Sequence, residues 1–353
     1  MTEVTGAPGR ADRFLRACHR EQVDATPVWF MRQAGRSLPE YRKIRERATL
    51  AEIVGDAALC AEVSLQPVER LGVDAAIVFA DITTPLPGAG IAVELVEGVG
   101  PVIAEPIRTF VDLDRLRPFD PSASVAPLLE AIGIIRRESP VPVIGFAGAP
   151  FTLASYLIEG RSPRGLERTK AILHGEPALW AGLMERLVDL DLAYLRAQAA
   201  AGAQALQLFD SWVGALSPAD YRAAVAPHMR RLVEGLRGLD VPIIQFGTST
   251  AGLLTSIAAT GGDVIGLDWR IGLADGWALV PDRAVQGNLD PTVLLAGYEA
   301  SEAAADAILA EAGGRPGHIF NLGHGVLPET DADHLRRLVD RVHERTARVG
   351  IMA

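Results

Sequence analysis

Two arginines four positions apart, Arg32 and Arg36 in MRQAGRSLPEYR, are the side chains whose type and spacing first suggest chemistry. A guanidinium presents a planar fork that matches a carboxylate two bonds at a time, so a local pair of them is a site for an acidic ligand. Gln33, between them, adds a donor and an acceptor. Farther along the chain stand Asp81, Tyr156, Ser211 and His324, an anion, a phenol, a hydroxyl and an imidazole. Each also has a purely structural reading. Arg32 and Arg36 can brace a loop, and Asp81 can cap the turn that follows it. Tyr156 lies in the helical pattern FTLASYLIEG and can be packed with its hydroxyl satisfied. Ser211 suits a turn, and His324 sits between two glycines where a structural histidine is common. Asp268 and Asp290 read as rim or helix-start carboxylates and are left out of the candidate site. What draws the others together is position: all lie at or just beyond the carboxyl ends of the predicted strands.

Those strands are short apolar runs separated by helical stripes, the period switching at each step. They read TPVWFM at 26–31, AAIVFA at 75–80, VPVIGFA at 141–147 and ALQLFD at 205–210, then VPIIQFG at 241–247, VIGLDW at 264–269, AVQGNLD at 284–290 and HIFNLG at 318–323. Eight such strands with helices between them predict an α/β protein, a single (β/α)8 TIM-type barrel over 11–353, behind a loose arm at 1–10. Chemistry in such a barrel gathers at the carboxyl ends of the strands. An open doubly wound sheet is the rival, but no GxGxxG follows the first strand and no GxxxxGK[ST] occurs. The Gly- and Pro-rich stretch at 88–106 predicts an inserted hairpin. A long helical region at 165–201 is expected to break near Gly175 and Pro177. Ser217 with Pro218 is expected to start a helix running to about 237, and Thr330 to cap the last helix at 331–346.

The 353 residues are 49% hydrophobic and 22% charged, an ordinary globular composition. A formal net charge of −10 argues against nucleic acid as a partner. It also means that an acidic ligand must be met by arginines concentrated in one place. No uninterrupted apolar run is long enough to span a bilayer, and the start of the chain lacks the layout of a secretion signal. Cys18 and Cys60 are too few for a disulfide framework, which points to a cytoplasmic location.

Four long segments, in order, resemble the uroporphyrinogen decarboxylase family. They are TPVWFMRQAGRSLPEYR at 26–42, GFAGAPFTLASYLIEG at 145–160, ALQLFDSWVG at 205–214 and FNLGHGVLPET at 320–330. One departure is Ser37, where the family usually has tyrosine. The resemblance implies a (β/α)8 barrel, commonly a homodimer whose clefts face each other. It implies loss of four acetate carboxylates of uroporphyrinogen III as CO2 to give coproporphyrinogen III, on the route to haem and chlorophyll, with no metal and no organic cofactor. It places substrate contacts on Arg32, Arg36, Asp81, Tyr156, Ser211 and His324, with Gln33 and Phe209 as further contacts. Catalytic weight falls on Asp81, Arg32, Arg36 and Tyr156. The alternatives are a zinc-dependent corrinoid methyltransferase of the same superfamily and a non-catalytic porphyrin-binding barrel. The absence of any cysteine after Cys60 argues against a thiolate zinc site. A sugar-phosphate barrel would need a glycine-rich phosphate loop, of which GHG at 323–325 is only a faint echo.

Overall fold

A computed structural model describes residues 9–96, 98–163 and 165–348. In chain order its strands are β1 (Ala76–Ile77), β2 (Glu94–Val96), β3 (Gly100–Val102), β4 (Val143–Gly148), β5 (Ala205–Asp210), β6 (Ile243–Gly247), β7 (Val264–Gly266), β8 (Ala284–Gln286) and β9 (His318–Ile319). β1 and β4 to β9 form one parallel sheet in the order β1-β4-β5-β6-β7-β8-β9. β4, β6, β7 and β8 are buried along their whole length, as expected of strands with apolar contacts on both faces. β2 and β3 pair antiparallel in the predicted insertion.

The closed eight-stranded barrel is not formed; the sheet is seven-stranded and open. The element that fails is the expected first strand at 26–31. It makes one isolated parallel bridge, Val28 with Phe320, and one backbone bond to the other edge, from Asp74 N–H to the Val28 carbonyl. A ladder needs successive backbone donors, and here side chains take them. Val28 N–H donates to Asp74 Oδ2 (2.8 Å), Phe30 N–H to Gln33 Oε1 (3.0 Å) and Met31 N–H to Asn321 Oδ1 (3.1 Å). Pro27 has no N–H to give. The segment is thus an extended piece held between the sheet edges by three polar side chains.

The helical material follows the sequence more closely. Helices Glu167–Gly175 and Pro177–Ala201 divide at the expected place. Ser217 caps its helix by accepting from Asp220 N–H, but the helix passes through a π-turn at Tyr221–Val225 before Ala226–Leu236. Pro227, with no N–H for the regular ladder, follows that turn directly. The last helix, Ala332–Thr346, is capped by Asp331 and not by Thr330, which is buried. Of the expected arm, residues 1–8 lie outside the described residues. Arg10 is tied down, Nη2 donating to the carbonyls of Val68 and Val73.

Candidate active site

Arg32 stands at the tip of a tight turn that follows the 26–31 segment. Its φ of 60° is left-handed, a costly conformation for a side-chain-bearing residue, so the surroundings must hold it there. Gln33 is one of the holders. It is fully buried, its Oε1 accepts from Phe30 N–H, and its Nε2 donates to the Ala75 carbonyl at 2.9 Å. Both ends of the Gln33 amide are thus engaged by backbone beneath the turn. Asn321 is the other. Its Oδ1 accepts from Met31 N–H and from Leu322 N–H (2.8 Å), joining the Arg32 turn to the loop that carries His324. Val326 N–H to the Met31 carbonyl (2.8 Å) closes the same junction. Gly325 lies against the Arg32 side chain, which would have to shift to admit a Cβ there. Arg36, one turn on, is exposed at the same rim.

Asp81 follows β1 and is half-buried. Its Oδ1 accepts from Thr83 N–H (2.8 Å) and Thr83 Oγ1 (2.5 Å), and its own N–H donates to Thr84 Oγ1 (3.1 Å). The local cap foreseen for it is therefore present, but it occupies one carboxylate oxygen. Among the described residues nothing donates to Oδ2.

Tyr156 lies on the helix Pro150–Glu159 with 7% of its surface exposed. Burial pushes its phenol above the ordinary value; hydrogen bonding by Ser162 and Trp212 pulls it back, the charge of Asp81 raises it and that of Arg32 lowers it. One phenol thus feels both the candidate anion and the candidate cation. The Trp212 ring meets the Tyr156 ring edge-on at 6.2 Å, and among the described residues its buried Nε1 has no partner of good geometry. Ser162 donates to the Val99 carbonyl in the β2–β3 connection (3.1 Å), so the hairpin braces this wall of the site.

Phe209, half-buried near the end of β5, stands edge-on to Phe146 (5.4 Å) and Phe246 (6.2 Å), an aromatic layer across three neighbouring strands. Ser211 follows two residues later; its carbonyl accepts from Thr248 Oγ1 (2.6 Å). His324 is held down to a pKa of about 4, first by burial and then by the charges of Arg32 and Arg270, against the opposing pull of Asp268. At neutral pH it is an uncharged imidazole, able to donate from one nitrogen and accept at the other. The structure thus brings Arg32, Asp81, Tyr156 and His324 into one electrostatic neighbourhood, and sets Gln33 behind it. Sequence reading passed over Trp212 and did not give Asn321 its bracing role; their part depends on contacts across the fold. Asp268 and Asp290 have structural roles: Asp268 accepts from Arg270 and Ser249 N–H, and Asp290 caps through Thr292 N–H.

The family model described as Uroporphyrinogen decarboxylase (URO-D) matches residues 10–345. The chain belongs to the uroporphyrinogen decarboxylase family. It is 56% identical over 337 residues to a uroporphyrinogen decarboxylase of Streptomyces coelicolor, covering 95% of each chain. It is 55% identical over 336 residues to one of Thermus thermophilus, covering 95% of this chain and 98% of that one. A solved methyltransferase from Methanosarcina mazei superposes with a TM-score of 0.78 over 96% of this chain and 99% of its own, at 20% identity, a likeness of fold alone. Among the described residues of this family member, no three His, Cys, Asp or Glu side chains are grouped to hold a metal ion, and no helix is long and apolar enough to cross a membrane. Both cysteines are buried and their thiols pushed up by desolvation.

Proposed function

We propose that this chain is a carboxy-lyase that removes the four acetate carboxylates of uroporphyrinogen III as CO2, giving coproporphyrinogen III for tetrapyrrole biosynthesis. The observation that carries this reading is membership of the family over nearly the whole chain, at 55–56% identity to relatives that bear that name. The convergence of Asp81, Arg32 and Tyr156 supports the same reading.

Loss of CO2 from a pyrrole acetate would leave electrons on a methylene beside an electron-rich ring. The ring must first become an electron sink. Protonation at a pyrrole α-carbon makes it cationic, the bond to the carboxylate then breaks, and its electron pair flows into the ring. A proton added to the exocyclic methylene completes the methyl group, and loss of the ring proton restores the pyrrole. The balance is one proton taken up per CO2 released. The substrate supplies the sink, so neither metal nor organic cofactor is called for.

In this scheme Asp81 accepts pyrrole N–H bonds at its uncapped oxygen, and its charge favours the cationic ring in the transition state. Arg32 and Arg36 hold carboxylates by two-pronged bonds. Tyr156 donates to a carboxylate or orients Asp81, while Ser211 and neutral His324 hold peripheral groups and Phe209 lies against the macrocycle. Arginine stays protonated at ordinary pH and is a poor acid, so Arg32 is assigned to carboxylate binding and the general acid is left open. A cytoplasmic homodimer with facing clefts belongs to the same proposal, and sedimentation of the pure protein tests the dimer. The decisive experiment is anaerobic incubation of metal-stripped protein with uroporphyrinogen III, with products resolved by number of carboxylates. Stepwise appearance of hepta- to tetracarboxylate species with CO2 release is expected; unchanged substrate would overturn the assignment.

A further inference from the structure

The loop after β7 carries a cation that the candidate site does not include. Arg270 is exposed, at the carboxyl end of its strand, and its guanidinium lies 3.9 Å above the centre of the Trp269 ring. Its Nη1 donates to Asp268 Oδ2 at 2.6 Å, and its backbone N–H to Asp268 Oδ1 at 3.1 Å. Asp268 is buried and is itself fixed by Ser249 N–H, while Asn288 Nδ2 donates to its carbonyl (2.9 Å). The far edge of this shelf reaches the site already described. Trp269 stands edge-on to His324 at 6.3 Å, and a Cβ on Gly323 would collide with the Trp269 backbone. Arg32 lies on the other side of the same histidine loop, against Gly325.

We propose that Arg270, stacked on Trp269 and oriented by Asp268, forms a carboxylate subsite beside His324 that binds a non-reacting side chain of the substrate and so contributes to specificity. The inference takes from the proposed function only that the ligand is a polycarboxylate. Arg270 spends Nη1 on Asp268; its Nε and Nη2 donors have no hydrogen-bond partner among the described residues. Those two nitrogens form the edge of the fork that grips a carboxylate two bonds at a time. Stacking and the ion pair fix the guanidinium beforehand, so little rotamer freedom is lost on binding. A chain of net charge −10 repels a polyanion at long range, which makes a further local cation beside Arg32 and Arg36 consequential. Asp268 offsets part of Arg270's charge but is buried behind it, so the exposed edge presents donors only. The field of Arg270 already reaches His324, where it helps hold the imidazole neutral.

The test uses the full chain with Arg270→Gln and Arg270→Lys, their folding checked by thermal melts. Binding of uroporphyrin, the unreactive oxidised octacarboxylate, is followed by fluorescence, and turnover of uroporphyrinogen III is followed anaerobically. For Arg270→Gln a Kd and KM about tenfold above wild type are expected, with kcat changed less than about twofold, the signature of lost uniform binding. Arg270→Lys keeps the charge but not the fork, and should recover only part of that loss. Kd and KM within twofold of wild type in both variants would overturn the subsite, as would full recovery by lysine. A wild-type protein that binds uroporphyrin but releases no CO2 would overturn the decarboxylase reading and leave the subsite standing.

Discussion

The chemistry at residue scale turns on a division of labour within one carboxylate. Asp81 uses Oδ1 to fix its own loop through Thr83 and keeps Oδ2 uncommitted. The cap preorganises the anion, so no reorganisation is needed when positive charge develops on the ring. In Asp81→Asn the amide oxygen can still accept from Thr83, so the loop keeps its shape while the charge is gone. Turnover should fall by roughly a hundredfold or more, with a much smaller change in KM. Steady-state kinetics under anaerobic conditions check this, and near-normal kcat would remove Asp81 from its role. Arg36→Lys makes a complementary demand at the rim. It preserves charge but not the two-pronged fork, so kcat/KM should drop by about tenfold. Equal kinetics in the lysine variant would mean that Arg36 acts by field alone. Of these residues, the arginines and Asp81 were legible in the chain as polar groups at strand ends. Gln33 was legible as a polar group beside Arg32 but not as a brace: its amide completes two backbone bonds that the irregular turn leaves open.

Elements were legible where burial on both faces writes a continuous apolar run, as in β4 and β6, and where a break has its own residue, as at Pro177. The 26–31 segment has the same apolar look but not the same pairing, because its backbone donors are claimed by Asp74, Gln33 and Asn321, residues far off or of opposite character. No local periodicity encodes that. Trp212 and the Trp269–Arg270 shelf were hidden likewise, since their partners Tyr156 and His324 come from other strand ends. Asp74 shows what the irregular segment depends on. Fully buried, it accepts from Val28 N–H, from Arg13 Nη1 at 3.1 Å and pairs with His343 Nε2 at 2.6 Å, tying the first helix, the segment that leads to Arg32 and the last helix together. Removing the charge takes away the buried one of Arg13's two carboxylate partners and leaves the half-buried Asp24. Asp74→Asn should therefore cost about 3 kcal/mol of stability. Urea unfolding measures the loss, and a midpoint equal to wild type would show that Asp24 alone suffices for Arg13.

On the scale of the whole molecule, buried titratable groups pull stability in opposite directions over one pH window. His318 and His324 are both held down to about 4, His318 chiefly by burial against the partial support of the Gly287 carbonyl. Unfolding releases them to the ordinary histidine value of about 6.5, so between these limits the unfolded chain binds more protons and acid destabilises the fold. Asp191 and Asp210 do the reverse. Asp210 is raised to about 7 by burial, against its bonds from Thr152, and Asp191 is raised by burial and then by the charge of Asp210. Among the described residues neither oxygen of Asp191 has a hydrogen-bond partner, so the neutral acid is the form the interior tolerates. For these carboxyls the folded state binds more protons above about pH 4, and their contribution is lost as pH rises toward 7. The two sets offset each other between about pH 4.5 and 6.5. Half-buried acids with lowered values, such as Asp112 and Asp306, act mainly below that window. Asp210→Asn removes one opposing slope and leaves the histidines. Its melting temperature should therefore drop more between pH 7 and pH 5 than that of wild type, as read by calorimetry at matched ionic strength. Parallel curves for the two proteins would mean that Asp210 is ionised in the folded state at both pH values and that the interior supplies it with a counter-charge.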